Sequence, residues 1–147
     1  MTITKILLTL HLLGAFALAA GVVIRFLAAR MIDADGTPER NASATSLIRG
    51  PGAWLYRGGA TLALLAGLGL VSKTHGASFS DSWISASFTV WLLLFVAGEA
   101  FTSRHARFLQ SSAPGSLTQQ RIGSIRTTTA LEVLLVVLLL VLMVWRP

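Results

Sequence analysis

Four long apolar stretches, each bounded by charged residues, dominate the chain. Ile6–Ile24 runs uncharged between Lys5 and Arg25, and Gly58–Ser72 between Arg57 and Lys73, with Trp54 and Tyr56 extending it backwards. Ser82–Gly98 runs until Glu99, its helical pattern continuing to about Ser103, and Thr127–Trp145 holds Glu132 as its one charge. A bilayer crossing takes about 20 largely apolar residues at about 1.5 Å each. The stretches therefore predict an all-α, antiparallel four-helix transmembrane bundle. It forms a single domain over 1–147, with spans at about 4–28, 54–72, 82–103 and 126–145. The second span is the shortest and needs Arg57 to snorkel to the interface. The third needs Glu99 to face the protein interior.

Composition narrows the class further. The chain is 54% hydrophobic and only 12% charged, with a mean hydropathy of +0.71. A soluble domain carries about 25% charged residues, so soluble enzymes, disordered chains and fibres are excluded. The net charge of +6 flanks the apolar runs without forming a basic face. That pattern predicts the lipid bilayer as partner and no nucleic acid. The absence of cysteine excludes disulfides, thioether-linked haem and cysteine-bound clusters.

Arg25, Arg30, Arg40, Arg49 and Arg57 lie between spans one and two, and Arg104, Arg107, Arg121 and Arg126 between spans three and four. Lys5, Lys73 and Arg146 lie on the other side. The positive-inside rule then predicts N-out, C-out topology in a bacterial inner (cytoplasmic) membrane, with Trp83 and Trp145 at the outer interface. Ala17-Leu18-Ala19 imitates a signal-peptide cleavage site, but the apolar run is longer than a usual signal core, so the first span is expected to stay as a signal anchor. Asp33–Pro38 and the stretch around Pro114 and Gly115 read as loops, and Gly50-Pro51-Gly52 as a helix break. Ala42–Arg49 is expected along the membrane surface. Asn41-Ala42-Ser43 is read as a chance match to a glycosylation acceptor.

Small residues mark the packing faces, because close approach drives helix association in lipid. They are Gly14 and Gly21 on span one, the latter spaced four from Ala17, and Gly59, Ala63 and Gly67 on span two. His11, Gly14, Leu18, Gly21 and Arg25 share a face of span one. Ser85, Phe88, Leu92, Val96, Glu99 and Ser103 share one on span three, and Thr128, Glu132, Val136, Leu139 and Met143 one on span four. Ionisable groups in a span are costly unless they meet a partner or a cavity. Arg25, Arg57, Glu99, Arg126 and Glu132 therefore form either an ionic lock or a proton path toward the arginine-bearing side. His11 and Met143 lie toward the opposite side, with His75 on its loop. Imidazole and thioether suit haem iron or copper, although no ligand pair has metal-binding spacing within one helix.

The segment Leu10-His11-Leu12-Leu13-Gly14-Ala15, with Gly21 and Arg25, resembles the first helix of a group of small four-span bacterial membrane proteins. One branch is an uncharacterised integral-membrane family of unknown function. Others are similar to the copper-resistance protein D domain and to HemJ, the oxygen-independent protoporphyrinogen oxidase. Trp54–Leu70 resembles the group's second helix, Trp83 onward its third, and Arg126–Pro147 its last. In HemJ proteins a first-helix histidine is linked to haem, which this resemblance places at His11. Their third-helix lysine has no counterpart here, where Ser85–Phe88 stands, and their asparagine–glutamate–proline run is missing. The resemblance therefore implies no protoporphyrinogen oxidation, and the uncharacterised branch fits best.

Three functional readings follow. One is a non-catalytic accessory subunit or helix-packing component, partnered by other membrane subunits or by itself. Another is a haem b or porphyrin-binding protein using His11, with Met143 or His75 as second ligand. The third is a small transporter or copper-handling protein coupled through Glu99 and Glu132.

Overall fold

The computed structural model describes residues 3–73, 80–111 and 119–145. His75, the loop around Pro114 and Gly115, and Arg146 lie outside the described residues, as does the side chain of Trp145. Helix α1 spans Ile3–Met31. Helix α2 (Pro38–Leu47) continues through a π-helical turn at Ile48–Gly52 into α3 (Ala53–Lys73). Helix α4 (Ser82–Val96) likewise continues through a π-helical turn at Ala97–Thr102 into α5 (Ser103–Ser111). Helix α6 spans Gln119–Trp145. Apart from residues 32–37 and 80–81, all the described residues are helical, and four helical runs are long and apolar enough to cross a membrane.

The expected break at Gly50-Pro51-Gly52 does not occur. Proline ends an α-helix because it lacks an N–H and its ring collides with the carbonyl four residues back. A widened turn accommodates that ring, and the chain stays helical through Pro51. The stretch expected along the membrane surface is thus the first part of this same helical run. It starts where Thr37 accepts a hydrogen bond from the Arg40 N–H at 3.4 Å, with Pro38 in the first turn. Asn41 clasps the preceding loop, its Nδ2 donating to the Asp33 carbonyl at 2.8 Å and its Oδ1 accepting from the Asp33 N–H at 3.1 Å. That clasp is the structural use of Asn41.

Helices α1 and α3 approach most closely, backbone to backbone. A Cβ on Gly14 would strike the Ala63 backbone, one on Gly59 the Leu18 and Ala17 backbone, and one on Gly21 the Tyr56 backbone. Helix α6 packs on α1 and on α4, while α3 meets α4 through the side chains of Tyr56 and Trp91. The interior is layered along the bundle. At the arginine-bearing end, Ala28, Ala29, Ile32, Ala44, Ile48, Ala106, Ile122 and Ile125 form one apolar cluster. In mid-bundle, Leu18, Val22, Tyr56, Ala60, Leu94 and Val136 form another. Outward-facing Phe16, Leu65, Leu134 and Val144 are exposed, as expected of side chains whose solvent is lipid.

The face anticipated on the third span is displaced. Leu92 and Val96 are exposed, and the buried positions are Ile84, Ser87, Val90 and Leu94, followed by Ala97, Gly98, Thr102 and Ser103, the last alone belonging to the anticipated face. A face drawn through Glu99 assumes that its carboxylate points inward and that the helix keeps its regular period. Instead Glu99 turns sideways to Arg57, and the π-turn changes the register just there.

Candidate functional site

The charged groups of the spans separate into three arrangements. Between the two apolar clusters lies a buried polar layer. Arg25, 1% exposed, donates from Nη2 to the Gly98 carbonyl at 2.8 Å and lies 3.4 Å from Glu132 Oε1. Thr102 donates its hydroxyl to the same carboxylate oxygen. The Arg25 guanidinium stands 4.3 Å from the centre of the Tyr56 ring, whose hydroxyl donates to the Leu94 carbonyl. Arg25 Nε and Nη1 and Glu132 Oε2 have no hydrogen-bond partner among the described residues, so the aromatic face is a main compensation for the desolvated cation.

Both π-turns serve this layer. Gly52, in the first, makes room for the arginine stem, since a Cβ there would lie 2.8 Å from Arg25 Cγ. Gly98, in the second, supplies the accepting carbonyl and leaves space for the Tyr56 ring. Such turns recur where a helix is adapted to a special task. Tyr56, Gly98 and Thr102 escape a reading guided by ionisable residues. The usable signal was Tyr56, the one tyrosine of the chain, spaced to share a face with Gly59 and Ala63.

Glu99 belongs to a different pair. Arg57 binds it through two hydrogen bonds, from Nε at 2.8 Å and from Nη2 at 2.7 Å, with the arginine side chain 49% exposed. Exposed ion pairs contribute little. Glu99→Gln is accordingly expected to lower stability by only about 0.2–1 kcal/mol, measured by unfolding of the micellar protein in a denaturing detergent. Arg126 stands apart from both carboxylates and donates to the Ile32 carbonyl at 2.6 Å. It satisfies a carbonyl just past the end of α1, where cations are favoured.

Toward the end where α1 begins and α6 ends, a half-open cavity of about 500 Å³ lies between the helix pair α1/α3 and the pair α4/α6. Its walls include His11, Gly67, Trp83, Ser87, Phe88 and Met143. A smaller apolar cavity of about 70 Å³ shares Ala15, Ser87, Phe88, Leu140 and Met143 with it and reaches toward Trp91. His11 and Met143, on the first and last helices, thus line one space. His11 Nδ1 lies 2.8 Å from the Ala63 carbonyl oxygen. A carbonyl can only accept, so Nδ1 carries a proton, and in the neutral ring Nε2 then holds the lone pair. Gly67 seats the ring, for a Cβ there would lie 3.2 Å from both His11 Cε1 and Nδ1. Gly67 therefore does more than pack helices. Among the described residues no three His, Asp or Glu side chains converge as a metal-binding group.

Residues 5–147 match a family model described as "Predicted integral membrane protein (DUF2269)". No match was found among curated proteins or solved structures.

Proposed function

We infer the function of this chain, which belongs to the DUF2269 family of predicted integral membrane proteins, from the cavity between its two helix pairs. The protein crosses the membrane four times. In our reading it holds a flat, apolar, iron-bearing ligand of the haem b class inside the bilayer, with His11 as the protein ligand. One observation carries this reading: an imidazole that gives its Nδ1 proton to Ala63 in the wall of an apolar cavity of about 500 Å³. Metal-bound histidines are commonly arranged so, the second-shell carbonyl fixing the tautomer and presenting Nε2. Cofactor sites are mostly apolar spaces of about 300–1,000 Å³ with few polar groups.

The residues present fit the iron and the apolar face of the macrocycle, while the two propionates would lie toward the open side of the cavity, since no cation is among its lining residues. His11 would supply nitrogen, Met143 offers a thioether across the same space, and Phe88, Leu140 and Trp83 supply apolar walls. Bound there, a haem supplies one-electron chemistry at its iron. His11 would supply a nitrogen to the iron, and the apolar walls would orient the ring and limit the access of water. The Arg25–Glu132 layer is, on this reading, the lock that closes the bundle beneath the cavity, and the arginine-bearing end faces the cytoplasm. The transport reading needs Glu99 and Glu132 on one path. They belong to separate pairs, one exposed and one sealed between apolar clusters.

Titration of the detergent-purified protein with haemin tests the proposal. Trp83 lines the cavity, so tryptophan fluorescence should fall and saturate at one haemin per chain, with weaker binding in His11→Ala. A decline that never saturates, or one identical in His11→Ala, would refute it.

A further inference from the structure

The arginine-bearing end contains a second, polar cavity that the haem reading does not use. It has a volume of about 260 Å³ and is lined by Ile48, Arg49, Ala53, Arg57, Ser103 and Arg107. Three guanidinium groups from two different helical runs border one space. Glu99 occupies Arg57, whereas Arg49 and Arg107 form no ion pair among the described residues. Three guanidinium groups against one carboxylate leave an excess of positive charge.

A largely buried serine makes the same point independently. Ser103 is only 8% exposed and borders this cavity. Ser87, Thr89, Ser124 and Thr129 each return their hydroxyl to the carbonyl four residues back, the usual resource of such residues within a helix. Ser103 makes no such bond and has no hydrogen-bond partner among the described residues. Its Oγ is not sealed off and opens on the cavity beside the three cations, where an acceptor-rich anion can reach it. Trp54, adjacent to Ala53 and 80% exposed, marks the level of the membrane interface, where tryptophan is enriched.

We propose that Arg49, Arg107 and Ser103, with the remaining N–H donors of Arg57, form a binding site for a phosphate group. Guanidinium pairs phosphate through paired hydrogen bonds, and the hydroxyl supplies a further donor. The phosphate comes either from an anionic lipid headgroup or from free phosphate in the aqueous phase.

The test uses the full chain purified in a neutral detergent, as wild type, Arg49→Gln/Arg107→Gln and Ser103→Ala. Inorganic phosphate is titrated by calorimetry. In parallel, each protein is reconstituted into phosphatidylcholine vesicles with or without phosphatidylglycerol, and its thermal unfolding is followed. Saturable heat with phosphate assigns the free anion. No heat with phosphate, but a higher unfolding temperature with phosphatidylglycerol, assigns the lipid headgroup. In either case the double variant should weaken binding about 25-fold, about fivefold for each arginine near a charged surface. Ser103→Ala, which keeps every charge, should weaken it about tenfold. Wild-type protein that responds to neither probe overturns the proposal, and so does a folded double variant that responds like the wild type.

Discussion

Arg25→Ala is expected to destabilise the bundle by about 3–5 kcal/mol, the usual cost of leaving one member of a buried ion pair alone. The substitution strands Glu132, fully buried between two apolar clusters, with the Thr102 hydroxyl as its remaining partner. It also frees the Gly98 carbonyl and uncovers the face of Tyr56. Arg25→Lys should recover little of the loss. An ammonium lacks the planar guanidinium face that lies over the Tyr56 ring while Nη2 reaches both the Gly98 carbonyl and Glu132. Exchanging both charges, as in Arg25→Met/Glu132→Leu, should restore most of the stability, because a buried pair often only offsets its own desolvation. Unfolding in mixed micelles, followed by circular dichroism, checks all three. A double variant as unstable as the singles would contradict the lock.

The second large effect concerns backbone contact. Gly59→Val is expected to prevent α1 and α3 from packing, and Gly59→Ala to cost about 1–3 kcal/mol, the range for overpacking a filled site. The added Cβ would fall on the Leu18 N–H, the Gly14 carbonyl and the Ala17 carbonyl carbon, which are backbone atoms and cannot rotate away. In lipid this closeness is itself the source of attraction between helices. Gly58→Ala provides the control, since a Cβ at Gly58 meets nothing within 4 Å. The same unfolding assay reads both. Equal stability of the two variants would contradict the packing described.

The spans were legible because a bilayer demands long apolar helices, and little else satisfies 54% hydrophobic composition. Small residues marked packing faces on the first two spans, but that Gly14, Gly59 and Ala63 meet one another at the α1–α3 crossing is seen only in the structure. The continuation of the helix through Pro51 was hidden, because a π-turn depends on what packs beside it and Gly52 yields to a side chain from another helix. The division of the ionic residues was hidden for a similar reason. Depth can be counted along a sequence, but whether Glu99 or Glu132 meets Arg25 depends on rotation about a helix axis across a π-turn. His11 was visible as a lone imidazole in an apolar span. That it shares a cavity with Met143, and has a fixed tautomer, follows from α3 lending the Ala63 carbonyl and α6 lending the opposite wall. The phosphate site was equally invisible, because Arg49 and Arg107 are brought together from separate helical runs.

The absorption spectrum of the protein purified from haem-replete cells, oxidised and then reduced with dithionite, tests the central claim most directly. A Soret band equivalent to one haem per chain is expected in the wild type, absent in His11→Ala and shifted in Met143→Leu if the thioether is the second ligand. Gly67→Val, which keeps the imidazole but crowds its seat, should diminish the band. A folded, colourless wild-type protein that takes up no added haemin, or a band unchanged in His11→Ala, would contradict the account.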